Sequence, residues 1–298
     1  MRLVMCSRIV FLILLLSLTS VSAFSQSTEM EQDMFENMRD GDKAVVVAVH
    51  SGTQNDAGLL CIERFNERLR KAYPNYDFRE AWTTKGADQR IPTPDVLFNQ
   101  LQKDGYTHVL VQSSDIINSA DMQFLRYAVD VAKMQFKHIR LGEPLLSDAS
   151  DYEEVLKATA TACGQAKQVN VLVCNGTMGI ADSQYTMLDY VLRDKDMKGW
   201  YVGTINGTPS LESLIRQLKR QKNKKVHLIP FMFAEETKTF KEVCDEWAQR
   251  LQSVGYKVTT EMNGLGQMDA IIDIFENHIR HAEKFRALTA KEQRMVIR

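Results

Sequence analysis

The side chains able to do chemistry in this chain stand where apolar runs end. His50 and Ser51 follow the run 44–49, and Ser113, Ser114 and Asp115 follow 108–112. Glu143 follows 138–141, Asn175 follows 169–174, Asn206 follows 201–205, and Glu235 with Glu236 follows 226–233. Imidazole and carboxylate groups accept protons or hold cations, and hydroxyls and amides hold polar ligands. In parallel α/β sheets, ligands bind beyond the carboxyl ends of the strands. If two such sheets face each other, these residues line one cleft between them. His108 and His227 begin their runs, which places them at the opposite end in structural roles. His278 and His281 lie three apart on a C-terminal helical stretch, close enough to share a metal, and are expected as exposed helix residues.

The elements that must position these residues alternate. Short β-branched runs at 44–49, 108–112, 138–141, 169–174, 201–205, 226–233 and 257–260 predict strands. Helical periodicity fills 59–72, 94–103, 120–134, 152–163, 209–219 and 238–253. Strand–helix alternation predicts βαβ units, hence an α/β fold with parallel sheets. The run 45–53 (VVVAVHSGT) aligns with 169–177 (VNVLVCNGT). Thr93-Pro94 and Thr208-Pro209 each open a helix leading to a strand that begins with His, and Thr before Pro suits a helix start. Two coincidences in one order predict a duplicated domain, with halves at 43–150 and 151–298. Residues 24–42, polar and rich in Met and Glu, are expected as a mobile leader or a short helix.

Composition narrows the function classes. Basic and acidic residues number 37 and 38, so no electrostatic case exists for nucleic acid. The basic run from Lys219 to Lys225 ends a helix, where cations suit the dipole. Arg2 and Arg8 flank a short basic start, an apolar run follows to Leu16, and Val21-Ser22-Ala23 offers a cleavage site. That pattern predicts a signal peptide over 1–23 and export to the periplasm or cell envelope. Cys61, Cys163, Cys174 and Cys244 lie in apolar-patterned segments without C-x-x-C spacing. They are expected as buried free thiols, although an exported chain permits disulfides.

A longer series of residues resembles one family. Thr93-Pro94, Gly105-Tyr106 and the stretch Val111-Gln112-Ser113-Ser114-Asp115-Ile116-Ile117-Asn118 come first, followed by Leu141-Gly142-Glu143-Pro144-Leu145-Leu146-Ser147. Asp151-Tyr152, Val202-Gly203, Pro209, Val226-His227-Leu228-Ile229-Pro230 and Gly264-Leu265-Gly266 continue in the same register. Together they are similar to the anaerobic sirohydrochlorin cobaltochelatases, from about residue 43 to residue 281. The resemblance implies two homologous α/β halves with a tetrapyrrole between them, and insertion of a divalent metal held by His and Glu. At the three implied ligand positions this chain carries Asn175, Asn206 and Lys238. A further His of the family is replaced by Asp115. An amide oxygen is a weak ligand for Co or Fe, and an ammonium has no lone pair.

Three readings follow. In the first, the cleft binds haem or a related tetrapyrrole outside the cytoplasm, with His50, Met178 or Met232 as axial ligand. Ser51, Ser113, Asp115, Asn175 and Asn206 would line that site, and Lys238 could pair with a propionate. A haem transporter in the inner or outer membrane would be the partner, and an oligomer is allowed. In the second, the protein is a metallochelatase, or removes iron from haem, with a substitute site for Co or Fe built from His50, Asp115, Glu235 and Glu236. In the third, the old cleft is vestigial and the chain is an interaction protein.

Overall fold

The structure, a computed structural model, describes residues 29–84, 88–234, 238–288 and residue 292. The expected signal peptide, its cleavage point near Ala23, Glu235 and Glu236 lie outside the described residues. The chain forms two compact units. The smaller contains an antiparallel ribbon of β1 (Glu29–Glu31) and β10 (Phe285–Ala287), in which Met30 faces Arg286. Arg286 is paired there with Glu292 at 2.7 Å.

The larger unit, residues 33–284, holds two four-stranded parallel sheets. The first contains β2 (Ala44–His50), β3 (Asp77–Trp82), β4 (His108–Ser113) and β5 (His138–Leu141), in the order β3-β2-β4-β5. The second contains β6 (Val169–Cys174), β7 (Trp200–Thr204), β8 (Lys225–Phe231) and β9 (Lys257–Thr260), in the order β7-β6-β8-β9. The two orders are the same, so the repeat read from sequence is a repeat of topology. Central strands such as β2 (AVVVAVH) and β6 (VNVLVC) are buried at every residue. Covered sheets require that continuous apolar run.

The helices are α1 (Asp56–Ala72), α2 (Pro94–Lys103), α3 (Ala120–Ala132), α4 (Ala149–Cys163), α5 (Asp182–Asp194), α6 (Leu211–Leu218), α7 (Lys238–Ser253) and α8 (Asp269–Lys284). Residues of α2 and α3 pack with the outward-facing Val45, Val47, Val109 and Val111 of the first sheet. Residues of α6 and α7 do the same for Val169, Val171 and Val226 of the second. One cluster between the sheets unites Val46, Leu110, Leu172 and Ile229 with Phe65 of α1, Leu156 of α4, Leu188 of α5 and Phe275 of α8. Alternate residues of a strand face opposite sides, so each sheet feeds two of these layers.

Several details differ from the expectations. β3, an edge strand of sequence DFREAW, alternates between exposed and half-buried over most of its length and carries no apolar run. Residues 33–42 form no helix; Met34 is buried in the central cluster and Phe35 stacks on Tyr76 at 4.3 Å. The Thr208–Pro209 peptide is cis and precedes the helix, and Ser210 caps α6 by accepting from the Ser213 N–H. Thr93 does stand at the α2 N-cap, with Pro94 inside the helix. α8 returns from the second half and contacts β4 and β5 of the first sheet. Its His278 is not a surface residue: it bridges the Asp151 carboxylate at 3.1 Å and the Glu143 carbonyl at 3.2 Å. Cys61, Cys163, Cys174 and Cys244 are buried and unbridged.

Candidate functional site

In each sheet the strand order reverses between its first strand and the strand two later in the chain. The chain leaves β2 for β3 on one side and then crosses to β4 on the other; β6, β7 and β8 repeat the path. The carboxyl ends beside such a reversal form the crevice where α/β proteins bind ligands. A cavity of about 130 Å³ lies there, lined from both reversals. Ser51 comes from the end of β2, and Ser114, Asp115, Ile116 and Ile117 from the end of β4. Asn175, Gly176 and Thr177 come from the end of β6, and Phe231 to Ala234 from the end of β8. Ser119, Asp121, Tyr185 and Ile62 complete the wall.

The loops of the second half are tied together. The Asn206 N–H donates to the Asn175 carbonyl at 2.9 Å, and the Met178 N–H donates to the Asn206 carbonyl at 3.3 Å. Gly176 sits at φ +79°, and a Cβ there would lie 1.9 Å from the Asn206 carbonyl oxygen. Only glycine allows that approach. Asp182, at the start of α5, accepts from the Thr177 N–H at 2.7 Å, the Thr177 hydroxyl at 2.9 Å and the Thr208 N–H at 3.3 Å. One buried carboxylate thus pins both loops, and two of the positions implied as metal ligands, Asn175 and Asn206, are neighbours. Asn175 lines the cavity, whereas Asn206 is exposed outside its lining. Lys238 is the first residue of α7.

The first-half wall is acidic and rich in hydroxyls. Asp115 accepts from the hydroxyls of Ser113 and of Ser119, the latter at 3.1 Å. Burial pushes its carboxyl up to about 6; the Ser113 bond opposes this and the charge of Asp121 adds to it. Ser51 donates to Asp121 at 3.2 Å. Ser113 itself lies behind the wall, fully buried. Asp121 and Ser119 were not legible as site residues, because they belong to the first turn and N-cap of α3 and follow no strand directly.

His50 does not face the cavity. It is 1 % exposed, with Nδ1 2.8 Å from Ser114 Oγ and Nε2 3.0 Å from Asn66 Oδ1. Phe65 stands edge-on to its ring, and Phe233 stacks on it at 6.2 Å. Burial pulls its pKa down to about 4, against the pull of the Asn66 bond. Both ring nitrogens are occupied, so the expected metal-ligand role of His50 does not match its geometry. Met178 is 82 % exposed at φ +53° and stands apart from the cavity lining, whereas Met232 is part of that lining. Among the described residues no three His, Cys, Asp or Glu side chains form a group able to hold a metal ion.

Comparison with known proteins agrees with this architecture. Residues 43–284 match the family model described as cobalt chelatase (CbiK). The sirohydrochlorin cobaltochelatase of Salmonella typhimurium is 26 % identical over 254 residues, spanning 80 % of this chain and 96 % of its own. Sirohydrochlorin cobaltochelatase CbiKC of Nitratidesulfovibrio vulgaris is 26 % identical over 256 residues, spanning 80 % and 90 %. Among solved structures, the sirohydrochlorin chelatase SirB of Bacillus subtilis subspecies spizizenii, in complex with cobalt, superposes with a TM-score of 0.60 at 16 % identity, covering 81 % of this chain and 95 % of that one. The matched span takes in both sheets and every loop of the cavity, and the chain belongs to the CbiK cobalt chelatase family.

Proposed function

We propose that the protein binds a tetrapyrrole in the crevice between its two sheets and is a carrier more than a metal-inserting enzyme. The observation behind this is the pair of matched strand-order reversals facing one cavity, in a member of a chelatase family whose implied ligand positions here read Asn175, Asn206 and Lys238. The cavity, about 130 Å³, is close to the ~150 Å³ of an engineered apolar cavity that holds one benzene. It therefore takes one ring of a macrocycle while the rest lies across the cleft mouth. Phe231, Phe233 and Ile117 supply apolar surface and the opposite loops supply polar groups, the mixture small-molecule sites use.

Haem or a related tetrapyrrole, acquired outside the cytoplasm by an exported chain, is the cargo this reading names. For haem, Met232 is the axial candidate that borders the cavity. The test is a titration of residues 24–298 with haem and, separately, with sirohydrochlorin, followed by absorbance. Saturable spectral shifts at about micromolar ligand, with no metal incorporated into sirohydrochlorin when Co²⁺ is added, support the carrier. Turnover of Co²⁺ into the macrocycle would establish the chelatase instead, and no shift with either ligand would sink both.

A further inference from the structure

The amino-terminal edge of the second sheet carries positive charge that no carboxylate there balances. Three strands begin side by side at that edge, β6, β8 and β9. The segments that enter them are 164–169, 219–225 and 254–257. They hold Lys167, then Lys219, Arg220, Lys222, Lys224 and Lys225, then Lys257, without one Asp or Glu. All seven cations are exposed. Hydrogen bonds tie the segments into one face: the Asn223 amide donates to the Lys167 carbonyl at 3.0 Å, and the Lys257 N–H to the Lys224 carbonyl at 2.7 Å. Lys225 is the register partner of Lys257. Adjacent strands are ~5 Å apart, so neighbouring charges lie within one Debye length, ~8 Å in physiological salt, and their fields add. Among the described residues none of the seven meets a carboxylate, whereas near the start of β7 Lys195 pairs with Glu153 at 2.6 Å and Lys198 with Asp196 at 3.3 Å.

Helix ends account for part of this charge, since α4, α6 and α7 finish at that face and cations suit their dipoles. The internal repeat supplies a control. α2 and α3 finish at the matching face of the first sheet, yet its segments 40–44, 104–108 and 133–138 carry three Lys and three Asp. Lys137 is paired there with Asp42 at 2.6 Å. The shared topology thus does not require an unbalanced face. We propose that the amino-terminal edge of the second sheet is a docking surface for an anionic lipid bilayer. Clusters of about four to eight Lys and Arg attract such a surface through their summed charge. Six of the seven here are lysines, point charges on flexible stems, where bidentate phosphate recognition would favour arginine. The one aromatic residue of the three segments, Tyr256, is buried with Lys224 over its ring at 4.6 Å, so no ring is offered for a nucleic-acid base to stack on. Asn175 and Met232 follow the opposite ends of β6 and β8, so docking by this edge turns the crevice end of the sheet away from the bilayer. The inference does not depend on what the crevice holds.

The test is co-sedimentation of residues 24–298 with vesicles of phosphatidylcholine alone and with about one-third phosphatidylglycerol, at about 0.1 M and about 0.5 M salt. Wild type should sediment with the anionic vesicles at the lower salt, and neither with the neutral vesicles nor at the higher salt. Each lysine at such a surface is worth about fivefold in partition. The triple variant Lys167→Gln, Lys222→Gln, Lys257→Gln changes one lysine in each segment and should bind roughly a hundredfold less. A second triple, Lys71→Gln, Lys103→Gln, Lys133→Gln, alters net charge equally at helix ends of the first half. It should stay within about threefold of wild type, since those charges face elsewhere. Equal binding to neutral and anionic vesicles, no binding to either, or equal losses in the two triples would overturn the proposal. So would binding to a single-stranded oligonucleotide that is tighter than to the vesicles and lost in the first triple, which would give the face to nucleic acid.

Discussion

At the scale of single residues, His50 and Asp115 hold opposite protonation debts a few residues from the same cavity. Burial lowers His50 to about 4, so unfolding takes up a proton between pH 4 and its unfolded value near about 6.5. In that window stability rises with pH. Burial raises Asp115 to about 6 from 3.8, so the folded state binds the extra proton and stability falls as pH rises through that interval. Each is worth up to about 3 kcal/mol, Asp115 less because it keeps some surface toward the cleft. The two slopes oppose each other in the wild type. Asp115→Asn removes one of them. Its stability relative to wild type should increase between pH 4 and pH 6 by roughly 1–3 kcal/mol, measured by urea denaturation at fixed pH steps. A difference that stays constant across those steps would show that Asp115 is not buried enough to titrate this way.

At the scale of elements, the junction of α4 and α8 depends on a residue that helical spacing alone would leave on the surface. Asp151 serves the start of α4, accepting from the N–H groups of Ser147 at 2.9 Å and Asp148 at 2.6 Å. His278 approaches the same carboxylate from α8. Burial works most strongly against its charge, but the bond to Asp151, the charge of Asp151 and the carbonyl and charge of Glu143 together overcome it and raise its pKa. A raised histidine stabilises fully below its unfolded pKa and loses that contribution as pH rises through its folded pKa. His278→Ala should cost about 2 kcal/mol at pH 6, the worth of a hydrogen bond to a charged group, and clearly less at pH 9, by urea denaturation at both values. The same junction shows what was legible. Strands such as β2 and β6 announce themselves, because a doubly covered strand must be apolar throughout. β3 was hidden, since an edge strand with one wet face reads as polar, and with it went Glu80, whose carboxylate accepts from the Asn66 amide that also meets His50. The two Thr-Pro pairs look identical, yet one starts α2 and the other precedes α6, since Ser210 is on hand to cap. That Ser51, Ser114, Asp115 and Asn175 border the cavity was legible from the switch-point rule, although Ser113, Glu143 and Asn206 at other strand ends do not border it. That His50 turns inward was not, because the groups that capture it sit on α1 and on the loop after β4.

At the scale of the molecule, the two sheets share a core, and this limits how the cleft can open. Phe275 of α8 meets Phe65 of α1 at 5.4 Å and Phe233, beside the cavity, at 5.7 Å, both edge-on. Phe65 and Phe233 are also in edge contact at 5.5 Å. Edge-to-face aromatic contacts add to burial, and this trio joins helix α1, the loop after β8 and the returning C-terminal helix. Under the proposed tetrapyrrole reading, a ligand larger than the cavity would therefore be admitted by movement of the loops at the strand ends, not by separation of the sheets. The consequence for stability is that the halves should unfold together despite their repeated topology. Phe275→Ala removes a fully buried ring, and should cost about 3–5 kcal/mol. Followed by far-ultraviolet circular dichroism and by tryptophan fluorescence, wild type and variant should each give one coincident transition, the variant's at lower urea. Trp82 lies in the first sheet and Trp247 in α7 against the second, so fluorescence samples both halves. Two separated transitions, or a variant in which one signal moves and the other stays, would mean that the halves keep independent cores, and the cleft could then open by parting them.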